Sequence, residues 1–379
     1  MRGVAAPLRI LHVTAPGAFG GRETAVAALA AGLRAAGHDV EVLAVFDAAP
    51  EAREGTFVEG LRAAGVPVRA LSLPPRAYRR EGRALREAAA STGAQVVHSH
   101  GYRTDVVAAL ALARDEIPLV STAHGFTGGG WKNRLYERLQ TLAWRRCAAV
   151  IAVSGPLART LVERGVEPAR MRTIRNAWRP AGEPLPRSEA RGRLGIRKDE
   201  LAIGWVGRVS REKGPDVALD ALAALGRPDA RLHVVGAGPM RNPLEEGARE
   251  RGLGDRVRWH GAVPGAGALL GAFDLLLLSS RTEGTPMVLF EAMEAGVPIV
   301  ATGVGGVPDV LSDREAWVVP AEDASALAAA VGAALADRED ALRRAARAGE
   351  RVRDEFAVEP WVDAHVALYR EVLAGGGGA

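Results

Sequence analysis

The chain has 379 residues, of which 48% are hydrophobic and 25% are charged, as in an ordinary soluble globular protein of two domains. No apolar run approaches the roughly 20 residues of a membrane span, and Pro7, Arg9 and His12 interrupt the apolar N-terminus, so neither a transmembrane helix nor a secretory signal is expected. The single cysteine, Cys147, excludes an internal disulfide framework and fits the cytoplasm.

The net charge of +4 is unevenly distributed along the chain. Residues 1–179 contain 25 Lys+Arg against 15 Asp+Glu, whereas the remainder contains 24 against 30. The basic excess concentrates in residues 76–86 and 132–146. Neither segment alternates basic residues with aromatic residues, so nucleic-acid binding is not expected.

In the second basic segment, Leu135, Leu139 and Leu142 recur at helical spacing between arginines. Such a helix fits either the surface of an anionic membrane or the face of a sheet. We expect an amphipathic helix packed on a sheet.

Short apolar runs rich in β-branched residues alternate with helical patterns, which favours parallel sheets with right-handed crossovers. The predicted strands are residues 8–14, 38–45, 95–98, 118–122 and 149–153 in the first half, and 201–206, 231–235, 256–260, 274–278, 298–301 and 316–319 in the second. Three prolines between residues 180 and 200 predict an interdomain linker there. A long helix is predicted after Ser325, and the glycine-rich tail from Gly375 is expected to be disordered.

Glycine and histidine mark the strand ends of the first half. Gly20 and Gly21 follow the first strand and allow backbone N–H groups to approach a ligand closely. His98 and His100 lie on one face of a strand, where we expect them to line a pocket or end the strand rather than bind a metal. His124, beside a glycine at another strand end, is placed to hydrogen-bond a substrate hydroxyl.

A basic loop follows the first strand of the second half. Gly207 frees the backbone to turn, and Arg208 and Lys213 stand five positions apart in the loop. A planar guanidinium and a compact ammonium together suit a diphosphate. Gly238 lies in a tight strand-to-helix turn that is not a dinucleotide fingerprint, because Arg241 holds the position of its last glycine.

The segment after the predicted strand 274–278 carries the strongest signal. Thr285 is the expected N-cap of a helix and Pro286 its first residue, which leaves the N–H groups of Met287, Val288 and Leu289 unpaired. Helix N-termini of this kind bind anions.

Glu283 and Glu291 flank this anion site, the first in the loop at its mouth and the second about two turns into the helix. A carboxylate beside a bound anion is repulsive unless it holds hydroxyl groups instead. The pair therefore indicates a ligand with phosphates in its middle and sugars on both sides.

The sequence lacks the residue patterns of several other common active sites. The chain contains no Gly-x-Ser-x-Gly elbow, no phosphate loop ending in Gly-Lys-Ser or Gly-Lys-Thr, and no cluster with zinc spacing. Ser154 and Cys147 have no evident base in the sequence.

Taken together, the glycine pair, His124, the loop from Gly207 to Lys213 and the pair Glu283 and Glu291 resemble, in order and spacing, the retaining glycosyltransferases of family four. The resemblance covers nearly the whole chain. It implies the α/β GT-B fold, two Rossmann-like domains facing across a deep cleft. Residues 1–178 would form the acceptor domain, with a C-terminal helix 360–374 packing back on it, and residues 179–359 the nucleotide-sugar donor domain.

The resemblance also implies roles. Arg208 and Lys213 would bind the donor diphosphate, Glu291 the ribose hydroxyls, and Glu283 and His124 the transferred sugar. The implied catalytic residues are His124, Arg208, Lys213 and Glu283. The implied donor-binding residues are Gly20, Gly21, Gly207, Gly238, Gly284, Thr285, Pro286, Met287, Val288, Leu289 and Glu291.

The implied reaction is front-face transfer with retention, without a cofactor or metal, to a sugar, lipid-linked or other hydroxyl acceptor in polysaccharide or cell-envelope synthesis. The basic first half suggests an anionic or lipid-linked acceptor at the inner membrane face. Asn176-Ala-Trp178 departs from the Asn-Gly of many relatives, which weakens any role for Asn176. Two alternatives stay open, a nucleotide-sugar 2-epimerase and an inactive nucleotide-sugar-binding protein. A phosphorylase would need a pyridoxal lysine that the sequence does not identify.

Overall fold

The computed structural model describes residues 6–17, 20–47, 54–126, 131–180, 182 and 184–375. The tail was predicted to be disordered from Gly375, but Gly375 is the last residue of a helix, and residues 376–379 fall outside the described residues. The chain divides into two compact units, Met1–Ala177 with Ala357–Ala379, and Trp178–Phe356.

The first unit contains a parallel sheet of seven strands in the order β3-β2-β1-β4-β5-β6-β7. Most of its strands are buried along nearly their whole length, as expected for a sheet covered on both faces. The strands are β1 (Arg9–Thr14), β2 (Asp39–Asp47), β3 (Val68–Leu73), β4 (Val96–His100), β5 (Leu119–Ala123), β6 (Ala149–Ala152) and β7 (Met171–Thr173). The two that the sequence did not predict, β3 and β7, are the edge strands, which are less buried than the rest.

Seven helices of the described chain cover this sheet. They are α1 (Gly21–Ala35), α2 (Glu54–Ala63), α3 (Tyr78–Thr92), α4 (Tyr102–Ala111), α5 (Trp131–Trp144), α6 (Gly155–Glu163) and, from the end of the chain, α14 (Val358–Gly375). Helix α14 belongs to the first unit through its apolar face, since Trp361, Val362 and Tyr369 are buried in the same core as strands β1 and β2. Gly32 of α1 makes room for it, because a Cβ at that position would lie 2.6 Å from Val362.

Helix α5 is turned the opposite way from the prediction. Leu135, Leu139 and Leu142 are 48%, 39% and 53% exposed, so the expectation that they pack on the sheet is wrong. The buried face instead carries Gln140 and Trp144.

A buried carboxylate explains this orientation. Asp105 of α4 is fully buried and accepts hydrogen bonds from Gln140 Nε2 at 2.6 Å and Trp144 Nε1 at 3.2 Å. Because a buried carboxylate must be hydrogen-bonded, its partners point inward and the leucines point outward.

No helix in the described part of the chain is long and apolar enough to span a bilayer.

The second unit contains a parallel sheet of six strands in the order β10-β9-β8-β11-β12-β13. The strands are β8 (Leu201–Val206), β9 (Ala230–Val235), β10 (Val257–Gly261), β11 (Leu275–Leu278), β12 (Ile299–Thr302) and β13 (Trp317–Val319). All six were predicted from the sequence, with boundaries that differ by one residue at most.

The helices of the second unit are α7 (Arg187–Leu194), α8 (Pro215–Ala224), α9 (Arg241–Glu250), α10 (Met287–Glu294), α11 (Val307–Val310), α12 (Ala324–Ala336) and α13 (Arg338–Glu355). The predicted linker is wrong from Arg187 onward, because α7 buries Ala190 and Leu194 in the core of this unit. The predicted long helix is two helices, since Asp337 ends α12 and caps α13 by accepting from the Asp340 N–H at 2.9 Å.

In each sheet the strand order reverses at one point, between β1 and β4 in the first unit and between β8 and β11 in the second. Ligands of open parallel sheets bind outside the carboxyl ends of the strands at such a switch point. In the second unit β8 pairs directly with β11, so the basic loop and the loop of Glu283 leave adjacent strands.

Candidate active site

The basic loop of the second unit is fixed by backbone contacts. It contains one 3₁₀ turn, Arg211–Lys213, followed by Gly214 in the left-handed conformation, with φ of 62°. A Cβ on Gly214 would lie 2.0 Å from the Ser279 carbonyl oxygen, so only glycine fits. The Ser279 hydroxyl in turn donates to the Gly214 carbonyl at 2.7 Å. The position of Lys213 is thereby tied to the end of β11.

Lys213 and Glu283 form an ion pair at this edge of the sheet. The ammonium Nζ lies 2.7 Å from Oε1 and 2.8 Å from Oε2 of Glu283. The Ser280 hydroxyl donates to the same Oε1 at 2.6 Å. Glu283 is buried, with 9% of its surface exposed, so the carboxylate depends on these two partners.

Arg208 is paired within its own loop. Its guanidinium binds the Glu212 carboxylate and is about half exposed. Burial opposes ionisation of Glu212, but the hydrogen bonds from Arg208 and Ser210 outweigh it and lower the pKa of this carboxyl. The two cations predicted to bind a diphosphate thus lie in one loop, each beside a carboxylate.

The helix after Glu283 begins one residue later than predicted. Pro286 is the N-cap residue with extended ψ of 107°, and α10 starts at Met287. The proline ring fixes only φ, which suits the N-cap as well as the first turn.

The backbone donors of α10 are also fewer than predicted. The Leu289 N–H bonds the Pro286 carbonyl at 3.0 Å, so the expectation that it is unpaired is wrong. Among the described residues, the N–H groups of Met287 and Val288 have no acceptor. Two donors rather than three therefore mark this helix end as an anion site.

Glu291 is the fifth residue of α10, little more than one turn from its start rather than two. Burial raises the pKa of this carboxyl to about 7. Within the described ranges no side chain or backbone group hydrogen-bonds it. Gly267 packs against it, since a Cβ there would lie 2.8 Å from its Cδ.

Gly238 serves the packing of this edge. A Cβ on Gly238 would lie 2.2 Å from the Val209 carbonyl oxygen, and the Val209 N–H donates to Ala237 at 3.0 Å. The turn after β9 therefore supports the basic loop. Gly207 and Gly284 lie in the two loops that leave β8 and β11.

In the first unit the glycine pair begins α1. Gly20 is its N-cap residue and Gly21 its first residue. Glu23 is buried in the first turn and accepts from the Gly17 N–H at 3.1 Å.

His124 follows strand β5, as predicted. Its Nε2 lies 3.2 Å from Nδ1 of His100, at the end of the neighbouring strand β4. Burial and the nearby positive charge of Arg22 lower the pKa of His124 to about 3, so the ring is neutral at pH 7.

The structure brings a third histidine beside the His98 and His100 of the sequence. Nitrogens of His12, His98 and His100 all lie within 4.8 Å of one another. Both nitrogens of His98 are already hydrogen-bonded, to the Tyr369 hydroxyl and the Thr122 hydroxyl, each at 2.7 Å. The geometry is thus that of a hydrogen-bonded cluster, although imidazoles of this kind also bind transition metals.

Several contributing residues were not predicted for the site. The sequence analysis did not assign Ser280 or Glu212 to the site, although both lie within the two loops that it identified. Gly267 comes from a distant 3₁₀ segment, Ala266–Ala272, and only the fold places it beside Glu291.

Two family models match the chain. The model for the glycosyl transferases of group 1 matches residues 186–352, and the model for glycosyltransferase family 4 matches residues 19–179.

Two similar proteins of described activity are bacterial. A D-inositol 3-phosphate glycosyltransferase of Segniliparus rotundus is 32% identical over 309 residues, which cover 74% of this chain and 67% of that protein. The lipopolysaccharide core biosynthesis mannosyltransferase LpsB of Rhizobium meliloti is 30% identical over 245 residues, which cover 60% of this chain and 67% of that protein.

Solved structures share the fold over nearly the whole chain. HepE of Anabaena in complex with UDP-glucose has a TM-score of 0.81 at 21% identity, over 95% of this chain and 99% of that one. Sucrose-phosphate synthase of Thermosynechococcus elongatus has a TM-score of 0.81 at 22% identity, over 97% and 100%.

Proposed function

Because the chain belongs to the glycosyltransferases of group 1 and family 4, we propose that it transfers a sugar from a nucleoside diphosphate sugar to an acceptor hydroxyl with retention of configuration. The predictions of the family, of the α/β GT-B fold with two Rossmann-like domains and of glycosyltransferase activity are confirmed. The donor class, the stereochemistry and metal independence are the parts that we propose.

The state of Glu291 is the observation that carries the proposal. A carboxyl group that burial keeps near its midpoint of ionisation at pH 7, with no partner in the described chain, gains hydrogen bonds from a ligand that offers hydroxyl groups. It lies within the first turns of a helix whose Met287 and Val288 N–H groups have no acceptor in the described part of the chain and suit a phosphate. A ribose followed by a diphosphate would supply hydroxyls to Glu291 and phosphate oxygens to the N–H groups at the start of α10.

The proposed mechanism needs no metal. As the bond between the sugar and the diphosphate breaks, the leaving group gains negative charge that Arg208, Lys213 and the N–H groups of α10 stabilise. The sugar becomes oxocarbenium-like, and Glu283 and His124 hold its hydroxyls. The acceptor oxygen bonds to the anomeric carbon on the face that the diphosphate leaves. The departing phosphate oxygen accepts the proton of the acceptor hydroxyl, so no separate protein base is required.

The contact between Lys213 and Glu283 gives this mechanism a link between its two ends. One group of the pair faces the diphosphate and the other the sugar in the proposed roles, and they lie within hydrogen-bond distance of each other. Negative charge that develops on the diphosphate therefore acts through Lys213 on Glu283, the group that holds the sugar.

A donor titration tests the proposed function. Thermal shift across UDP-, GDP-, ADP- and dTDP-sugars should show one base that stabilises the protein, and its affinity should rise between pH 6 and pH 8 as Glu291 ionises. In Glu291→Gln the affinity should be about tenfold weaker at pH 8 and should not depend on pH in this range. NMR of the product should show the anomeric configuration of the donor sugar.

Other results would overturn parts of the proposal. An inverted product excludes the retaining mechanism, and loss of transfer on treatment with a chelator excludes metal independence. Epimerised nucleotide sugar formed without acceptor would identify an epimerase, and tight donor binding with neither transfer nor hydrolysis would identify an inactive binding protein.

For the acceptor we propose an anionic or lipid-linked substrate at a membrane surface. Helix α5 presents Leu135, Leu139 and Leu142 to solvent, with the exposed Arg138 and Arg145 on the same helix and its C-terminal end. Apolar side chains flanked by arginines match the interface of a bilayer that contains anionic lipid.

Vesicle binding tests this surface. The protein should sediment with vesicles of phosphatidylglycerol and phosphatidylcholine and not with phosphatidylcholine alone, and Leu139→Ser with Leu142→Ser should reduce the bound fraction by about tenfold. The control Leu342→Ser removes a leucine of similar exposure from helix α13. Equal binding by the control and the α5 variant, or no binding to anionic vesicles, would contradict the proposal.

A further inference from the structure

Three histidine rings form a hydrogen-bonded chain in the first unit, and the mechanism above uses only the last of them. His12 on β1 bonds through Nδ1 to Nε2 of His100, at 3.0 Å. His100 on β4 bonds through Nδ1 to Nε2 of His124, at 3.2 Å. The strands β1, β4 and β5 are neighbours in the sheet, so the fold itself aligns the three rings.

All three rings are neutral at pH 7. Burial is the main cause that lowers the pKa of His12 and His124 to about 3 and that of His100 well below its usual value. A neutral imidazole has one N–H donor and one acceptor nitrogen. Because His100 uses both nitrogens within the chain, the position of its single proton sets the direction of both hydrogen bonds.

The end of the chain at His12 selects that direction. The Nε2 of His12 is buried and has no partner among the residues that the structure describes. If the chain ran from His124 toward His12, this nitrogen would be a buried N–H without an acceptor, a rarer defect in folded proteins than an unused acceptor. The proton of His12 therefore belongs on Nδ1, and each ring donates toward His124.

We propose that His12 and His100 are positioning residues that hold His124 as the tautomer with its proton on Nδ1, so that His124 presents a hydrogen-bond donor to the transferred sugar. The part that concerns the sugar rests on the proposed function. A partner at one imidazole nitrogen fixes which proton the other carries, as it does for metal-bound and catalytic histidines. Sugar oxygens accept such a hydrogen bond.

The neighbouring His98 does not belong to this chain. Its two nitrogens hydrogen-bond the Tyr369 and Thr122 hydroxyls, so the protons of His98 do not affect the direction of the hydrogen bonds between His12, His100 and His124. A metal shared by His12, His98 and His100 would have to break at least one of these hydrogen bonds.

Imidazole ¹⁵N spectra of the full-length protein decide the tautomer without any sugar donor. The wild-type spectrum should show the proton of His124 on Nδ1. His100→Asn places an amide donor near the position of Nδ1 and should keep this tautomer, whereas His100→Leu has a similar size without a donor and should lose it. Transfer assays on the same proteins should show kcat lowered about tenfold in the leucine variant, donor KM changed less, and the asparagine variant close to wild type.

A proton on Nε2 of His124 in the wild-type protein would overturn the proposal. So would equal loss of kcat in both variants with the native tautomer retained, or stoichiometric zinc bound by the wild-type protein. Thermal unfolding of both variants identifies a folding defect, in which case the wild-type spectrum alone decides. Absence of donor binding would contradict the proposed function and leave the tautomer result standing.

Discussion

Replacing Lys213 with alanine is expected to lower the rate of sugar transfer by about a thousandfold, the upper part of the range for loss of one preorganised group that stabilises developing negative charge. The ammonium is held 2.7 Å from Glu283 by a loop that Gly214 fixes to β11, so no other described lysine can replace it. Steady-state kinetics with the donor identified by titration measure the effect. Near-normal turnover would exclude this role.

The stability of this variant separates chemistry from folding. Glu283 is buried and loses its cation in Lys213→Ala, which should cost about 1–3 kcal/mol of unfolding free energy. The double variant Lys213→Ala with Glu283→Gln should recover much of that stability and none of the transfer activity. Lys198→Ala, at an exposed position, is the control and should match the wild type in both measurements.

Gly214→Ala is expected to destabilise the second unit by about 3 kcal/mol and to abolish transfer. Its φ of 62° costs an alanine about 1–2 kcal/mol, and the Cβ would overlap the Ser279 carbonyl oxygen at 2.0 Å. Relief of this overlap must move the loop of Lys213 away from β11. Denaturant unfolding and the transfer assay measure the two effects.

Gly226→Ala is the matched control for this prediction. Gly226 has nearly the same φ, 65°, but no atom of the described residues lies within 4 Å of the position of its Cβ. This variant should therefore lose only the conformational part, about 1–2 kcal/mol, and keep its activity. If the two variants were equally stable and active, the close approach of Gly214 to Ser279 would contribute nothing to the unfolding free energy or to the activity.

The central strands could be predicted because burial on both faces makes them mainly apolar, even where His, Ser or Thr interrupts them. The edge strand Val68–Leu73 alternates apolar and polar residues weakly, and Met171–Thr173 is too short to stand out. The sequence pattern also misplaced Arg187–Leu194, since prolines before a helix read as a linker until the apolar contacts of the helix are known.

At the candidate site, local sequence predicted the loops but not their contacts. Arg208 and Lys213 were predicted as a pair, whereas each lies beside a carboxylate of its own. The inverted helix α5 could not be predicted from its leucines, because its orientation depends on Asp105, which is buried 35 positions away from Gln140. The contact of Gly267 with Glu291 likewise depends on the fold.

The return of α14 to the first unit affects how the protein folds during synthesis. The side chains of Trp361 and Tyr369 complete a core whose members outside α14 lie between Leu8 and Ala177. The unit formed by Trp178–Phe356 is continuous, so it has all its residues before the N-terminal unit does. We therefore expect the usual N-to-C order of cotranslational folding to be reversed, with the second unit native while the first still lacks its final helix.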